Sequence, residues 1–92
     1  MNKKRNSLEI IHDILKVIEL KKGNIKPTHI LYKSNLSTSM LKSYLTELES
    51  KGFIKEKTDK NGRKTYELTE FGNNYLKEYK VIKSFTNSFG LN

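Results

Sequence analysis

The stretch PTHILYKSNLSTSMLKSYLTELESKG, Pro27 to Gly52, decides how this 92-residue chain is read. Pro27 suits the first position of a helix, where a missing N–H costs nothing because a first turn leaves that donor unbonded anyway. Ile30 and Leu31 give this helix, Pro27 to Ser34, a short inner face. Asn35 and Leu36 read as a tight turn. Ser37 then caps another helix with Leu41, Tyr44, Leu45 and Leu48 along one side, ending at Lys51-Gly52. Two helices joined by so short a turn, the second opening on a hydroxyl cap, have the form of a helix-turn-helix.

Upstream, Met1 to Asn6 has no apolar residue after the initiator and reads as a disordered basic arm. Ser7 is expected to cap a first helix in which Leu8, Ile11, Ile14, Leu15 and Ile18 recur at helical spacing, until Lys21, Lys22 and Gly23 close it. Ile10 and Val17 widen its apolar arc to about half the circumference. They are expected on an outer side that needs a second partner, either the last helix or another chain. Asn24 to Lys26 reads as a short link.

Downstream of Gly52 the apolar period shortens. Phe53 to Thr58 and Thr65 to Leu68 read as two strands of a hairpin. A two-residue turn at Asn61-Gly62 would set Lys55 against Leu68, mixing charge with core. A three-residue loop, Lys60-Asn61-Gly62, pairs Ile54 with Leu68 and Glu56 with Tyr66, and puts Gly62 where a left-handed residue is needed. A slip of one residue turns every side chain over, so the second register is expected. Thr69 caps a final helix, about Glu70 to Ser88, with Phe71, Tyr75, Leu76, Tyr79, Ile82, Phe85 and Phe89 along its inner arc.

Helix, helix-turn-helix, hairpin and long final helix make a mainly α winged helix-turn-helix, α-α-α-β-β-α. The expected division is a basic arm (1–6), the winged domain (7–69), and a C-terminal helix (70–92) that completes the core and dimerises. Eighteen Lys and Arg against ten Asp and Glu leave a formal charge of +8, a field that attracts polyanions. The expected partner is double-stranded DNA. The third helix enters the major groove with Thr38, Ser39, Lys42, Ser43 and Thr46, and the wing meets the backbone with Lys57, Lys60, Arg63 and Lys64. Small hydroxyls let the helix approach closely, and Thr38 can meet a phosphate beside the free N–H groups of the first turn. With no Arg, Asn or Gln on that face for bidentate reading, each base contact discriminates weakly.

Other classes find little support. No cysteine is present, which excludes disulfides and thiolate metal sites and fits a reducing cytoplasm. Apolar runs of two or three residues do not span a membrane. His12 and His29 lie on different helices with no carboxylates spaced to complete a site, and the five glycines form no phosphate loop. The expectation is therefore a non-enzymatic, cytoplasmic, nucleoid-associated protein with no cofactor, metal or small-molecule ligand. On the last helix Tyr75, Ile82 and Phe89 repeat at seven, with Phe71 and Phe85 on the alternate heptad line where Glu78 intervenes. The part beyond Tyr79 extends past so small a body; left exposed there, Ile82, Phe85 and Phe89 signal association, and the alternative is that this stretch folds back over the first helix. Tyr79, Ile82, Phe85 and Phe89, assisted by Ile10 and Val17, are the expected homodimer surface.

The segments Leu31-Tyr32-Lys33-Ser34-Asn35-Leu36-Ser37, Leu41-Lys42-Ser43-Tyr44-Leu45 and Lys51-Gly52-Phe53-Ile54, with Tyr66-Glu67-Leu68-Thr69-Glu70 and Gly72, resemble an archaeal family of small winged-helix DNA-binding domains. The resemblance covers about Leu8 to Tyr79. It implies transcription regulation, DNA contact through the third helix and wing, and no cofactor; some members dimerise through a C-terminal coiled coil and act as chromatin-type proteins. Where such domains often carry an aromatic or longer polar residue just after the cap, this chain has Thr38 and Ser39. Its final helix is also shorter than that long coiled coil. The competing expectation is a winged helix used purely for protein–protein interaction, its lysines serving solubility.

Overall fold

The computed structural model describes residues 6–22 and 25–90. Its elements run α1 (Ser7–Leu20), α2 (Pro27–Ser34), α3 (Thr38–Ser50), β1 (Ile54–Thr58), β2 (Lys64–Leu68) and α4 (Glu70–Ser88). The basic arm expected over residues 1–6 lies outside the described residues except for Asn6, as does Gly23. Asn6, not Ser7, caps α1. Its side-chain oxygen accepts the Glu9 N–H at 2.8 Å while the Glu9 carboxylate accepts the Asn6 N–H at 3.2 Å. This reciprocal capping box needs an acidic residue three positions past the cap, which Asn6 has and Ser7 does not. Pro27 opens α2, and Asn35 ends it in the left-handed conformation at φ 56°.

The hairpin takes the register that keeps Ile54 opposite Leu68 and Glu56 opposite Tyr66. Gly62, at φ +75°, supplies the left-handed position of the connection. A third backbone partner joins on the far edge of β2. The Tyr66 N–H donates to the Ile25 carbonyl at 3.2 Å, and Ile25 is wholly buried. The segment read as a mere link therefore contributes a core residue and a sheet bridge.

The core joins Ile14, Leu15 and Ile18 of α1 to Ile25, Ile30, Leu41, Leu45, Leu48, Ile54, Tyr66 and Leu76. Burying each Ile or Leu from water stabilises the fold by about 1.5–3 kcal/mol. The buried arc of α1 is rotated from the expected one. Ile10, expected on an outer dimer face, is itself in the core at 7% exposure, and Val17 packs half-buried against that core. Leu8, expected inside, is 59% exposed. Ile10 lies one turn before Ile14 and inherits its face, whereas Leu8 falls at the arc's edge in the first turn.

Where β2 passes into α4, one knot of backbone contacts fixes the last helix. Thr69 donates its N–H to the Phe53 carbonyl at 3.1 Å and its hydroxyl to the Gly52 carbonyl, and its hydroxyl oxygen accepts the Gly72 N–H at 3.1 Å. Gly72 lies so close to the Phe53 carbonyl that a Cβ there would overlap it. Phe71, expected on the inner arc, is instead 56% exposed, with its ring stacked on Phe53 at 4.7 Å. Beyond Tyr79, α4 leaves the body, and Val81, Ile82, Phe85 and Phe89 are all exposed.

Candidate nucleic-acid interface

The turn between α2 and α3 is set by two local devices. Asn35 donates its N–H back to the Leu31 carbonyl at 3.1 Å, and Ser37 accepts the Met40 N–H at 3.2 Å. With Leu41, Leu45 and Leu48 turned into the core, α3 presents Thr38, Ser39, Lys42, Ser43 and Thr46 to solvent. All five residues expected to face DNA thus share one exposed arc. Thr46 donates its hydroxyl to the Lys42 carbonyl at 2.9 Å, leaving its lone pairs to accept. Met40 is also exposed on this helix, an apolar contact that the pattern of hydroxyls obscured.

The wing tip is built around Asp59. Its N–H donates to the Arg63 carbonyl at 2.8 Å, and its carbonyl accepts the Gly62 N–H at 3.0 Å. One carboxylate oxygen accepts both the Asn61 N–H at 2.9 Å and the Arg63 N–H at 2.8 Å. Chiefly the Arg63 N–H, and after it the Asn61 N–H and the charges of Arg63 and Lys26, hold the Asp59 carboxyl below its ordinary range, against an opposing desolvation that ranks second among the causes. Sequence reasoning gave Asp59 no role, although an Asp opening a turn is a known signal for accepting nearby N–H groups. Because the folded pKa is depressed, this stabilisation of the tip is present above the unfolded value and is lost as pH falls through the folded one. The amides of Asn61 and Arg63 should keep their protection at pH 5 and lose it only after pH has passed below the ordinary Asp value of about 3.9, as it falls through the lowered folded one. Amide exchange followed by NMR checks this, and loss already at pH 5 would contradict it.

The wing cations divide into two groups. Lys57 meets Glu67 at 3.1 Å, as Lys55 does at 3.0 Å, and Lys64 meets Glu56 at 3.2 Å. These ion pairs lower Glu67, first through Lys55, and raise Lys64, first through its bond to Glu56. Exposed pairs of this kind are weak and exchangeable, at about 0–1 kcal/mol each. Among the described residues Lys42, Lys60 and Arg63 form no ion pair. Glu49 of α3 also adds to the upward shift of Lys64, which places the exposed side of α3 within electrostatic reach of the wing. Most acids nearby are engaged, Glu47 with Lys51 at 3.0 Å, Glu56 and Glu67 with strand lysines and Asp59 with backbone, whereas Glu49 is exposed on α3.

The residues expected to dimerise are not brought together as one set. Ile82, Phe85 and Phe89 lie exposed on the free half of α4, with the Phe85 and Phe89 rings 4.9 Å apart. Tyr79 is stacked on His12 of its own α1 at 4.2 Å, and Ile10 is buried. No helix among the described residues is long and apolar enough to cross a membrane.

The model of a family described as winged helix-turn-helix matches residues 4–87. The chain is 39% identical over 69 residues to an uncharacterised protein of Methanocaldococcus jannaschii, an alignment covering 75% of this chain and 64% of that protein's length. Among solved structures it is similar to Sso10a-2, a DNA-binding protein from Sulfolobus solfataricus. That match has a TM-score of 0.77 and 30% identity, and covers 94% of this chain and 87% of the other. The PcaV transcriptional regulator from Streptomyces coelicolor superposes with a TM-score of 0.79 at 17% identity, over 98% of this chain and 63% of that one. At that identity the likeness is one of fold.

Proposed function

The chain belongs to the winged helix-turn-helix family, and from that premise we propose that it binds double-stranded DNA through α3 and the wing, as a non-catalytic regulator or chromatin-type protein of modest sequence specificity. The observation that carries this reading is the set of exposed cations on α3 and at the wing tip, Lys42, Lys60 and Arg63, which form no ion pair among the described residues. Lys42, Thr46, Ser39 and Ser43 enter the major groove, and Lys60 and Arg63 meet phosphates at its side. Lys57 and Lys64 exchange their carboxylates for phosphates on binding. The face carries one long cation and several hydroxyls, so affinity comes from the backbone more than from base edges.

A winged helix of this size touches few base pairs, and a two-fold dimer doubles them. Ile82, Phe85 and Phe89, each more than 60% exposed, form the seam through which two copies associate. Tyr79 borders this seam while packing within its own chain, and Ile10 takes no part in it.

Changing Lys42 and Thr46 to Ala together should weaken duplex binding about tenfold or more at near-physiological salt and leave the melting temperature unchanged, because both side chains face solvent. Fluorescence anisotropy on a labelled random duplex reads the first quantity and circular dichroism the second. Unaltered affinity in a folded double variant would reject this face of α3. Absence of any duplex binding by the wild type would favour a protein-interaction module instead.

A further inference from the structure

Where α4 departs from α1, the two helices leave a groove of about 410 Å³, lined by Leu76, Tyr79, Lys80 and Lys83 of α4 and by His12 and Lys16 of α1. That volume lies within the range of small-molecule sites. Its inner wall is apolar and planar: Leu76 belongs to the core, and the Tyr79 ring lies almost parallel to His12, 19° apart at 4.2 Å. Its outer wall is cationic, and no carboxylate lines it. Lys16 is engaged with Glu19 at 3.0 Å and His12 with Asp13 at 3.4 Å, whereas Lys80 and Lys83 form no ion pair among the described residues. Burial first, then the charges of Glu9 and Asp13, raise the Tyr79 pKa; these carboxylates belong to α1, whereas Lys80 and Lys83 line the α4 side.

We propose that this groove binds a small anion bearing a planar ring, of the aromatic carboxylate class, its ring against Leu76 and Tyr79 and its carboxylate met by Lys80 and Lys83. Both halves of the ligand are needed. A ring without charge leaves the two ammonium groups unmatched, and an anion without a ring gains only an exposed, screened attraction. At about 100° per residue, Lys80, Lys83 and Leu76 point on average about 155° away from the arc of Ile82, Phe85 and Phe89. The lysine side of the site is therefore turned away from the dimer seam, which only Tyr79 borders, and the site shares no residue with α3 or the wing.

The test is a titration of isotope-labelled protein with 1-naphthoate, with acetate and naphthalenemethanol as the ring-free and charge-free controls. Saturable NMR shifts centred on Leu76, Tyr79 and His12, with a Kd of roughly 0.1–1 mM and at least tenfold weaker response to either control, are expected. The variant carrying Lys80→Ala and Lys83→Ala should lose at least tenfold in affinity while melting as the wild type does, and Phe85→Asp should bind as the wild type does. Equal response to acetate would overturn the proposal in favour of a diffuse lysine field. So would an undiminished affinity in the double variant, loss of binding in Phe85→Asp, or displacement of naphthoate from the groove by duplex DNA.

Discussion

Gly72→Ala is expected to lower the midpoint of thermal unfolding by about 12–24 °C. On an open helix the change would favour folding, because alanine is the better helix former by about 1 kcal/mol. Here the added Cβ overlaps the Phe53 carbonyl oxygen, and that oxygen cannot yield cheaply, since it accepts the Thr69 N–H. Relieving the overlap moves α4 away from β1. That movement loosens the Thr69 bonds to Phe53 and Gly52 and the packing of Phe53 against Phe71 and Tyr75. Overpacking of this kind costs about 1–3 kcal/mol and the two loosened hydrogen bonds about 1 each, so against about 1 kcal/mol of helix propensity gained the net cost is near 3 kcal/mol. In a domain of this size each kcal/mol moves the midpoint by about 4–8 °C. A circular dichroism melt reads the effect, and a wild-type midpoint would show that α4 does not approach β1 so closely.

Phe85→Asp is expected to give a folded monomer whose duplex affinity is lower by about a hundredfold or more. Within one chain Phe85 is 61% exposed and its nearest ring partner is Phe89, so the body does not depend on it. Across a dimer seam the new carboxylate would be buried without a partner. Linking two DNA-binding faces raises affinity by about 10²–10⁴ through effective concentration alone, and separating them forfeits that gain. Sedimentation at micromolar concentration and anisotropy on a duplex carrying two half-sites measure the two effects. A wild type that already sediments as a monomer would remove the seam from the account.

The helix-turn-helix and the hairpin register were legible because local chemistry dictates them. Pro27, Ser37 and Thr69 mark helix starts, and Asn35 and Gly62 take the left-handed positions that their types favour. What the sequence concealed depends on neighbours distant along the chain. Nothing local says that Ile25 bridges to Tyr66, or that Gly72 is required by the Phe53 carbonyl. Near the N-terminus the signal was present but overlooked. Asn and Ser are equal as caps, and Glu9 decides for Asn6. The α3 face was readable from the spacing of Leu41, Leu45 and Leu48. The division of wing cations was not, because Glu56 and Glu67 reach their lysines only across the hairpin.

The central claim, that α3 and the wing bind duplex DNA, is tested most directly by the salt dependence of affinity in the wild type and in the Lys60→Ala, Arg63→Ala double variant. Each phosphate contact contributes about 0.9 to the slope of log K against log salt. With Lys57, Lys60, Arg63 and Lys64 on phosphates, the wild-type slope should be about −3.6 or steeper. The double variant should bind every duplex more weakly, with a slope flatter by about 1.8 and an unchanged melt. A wild type that fails to bind duplex at low salt, or a double variant with the wild-type slope, would contradict the account.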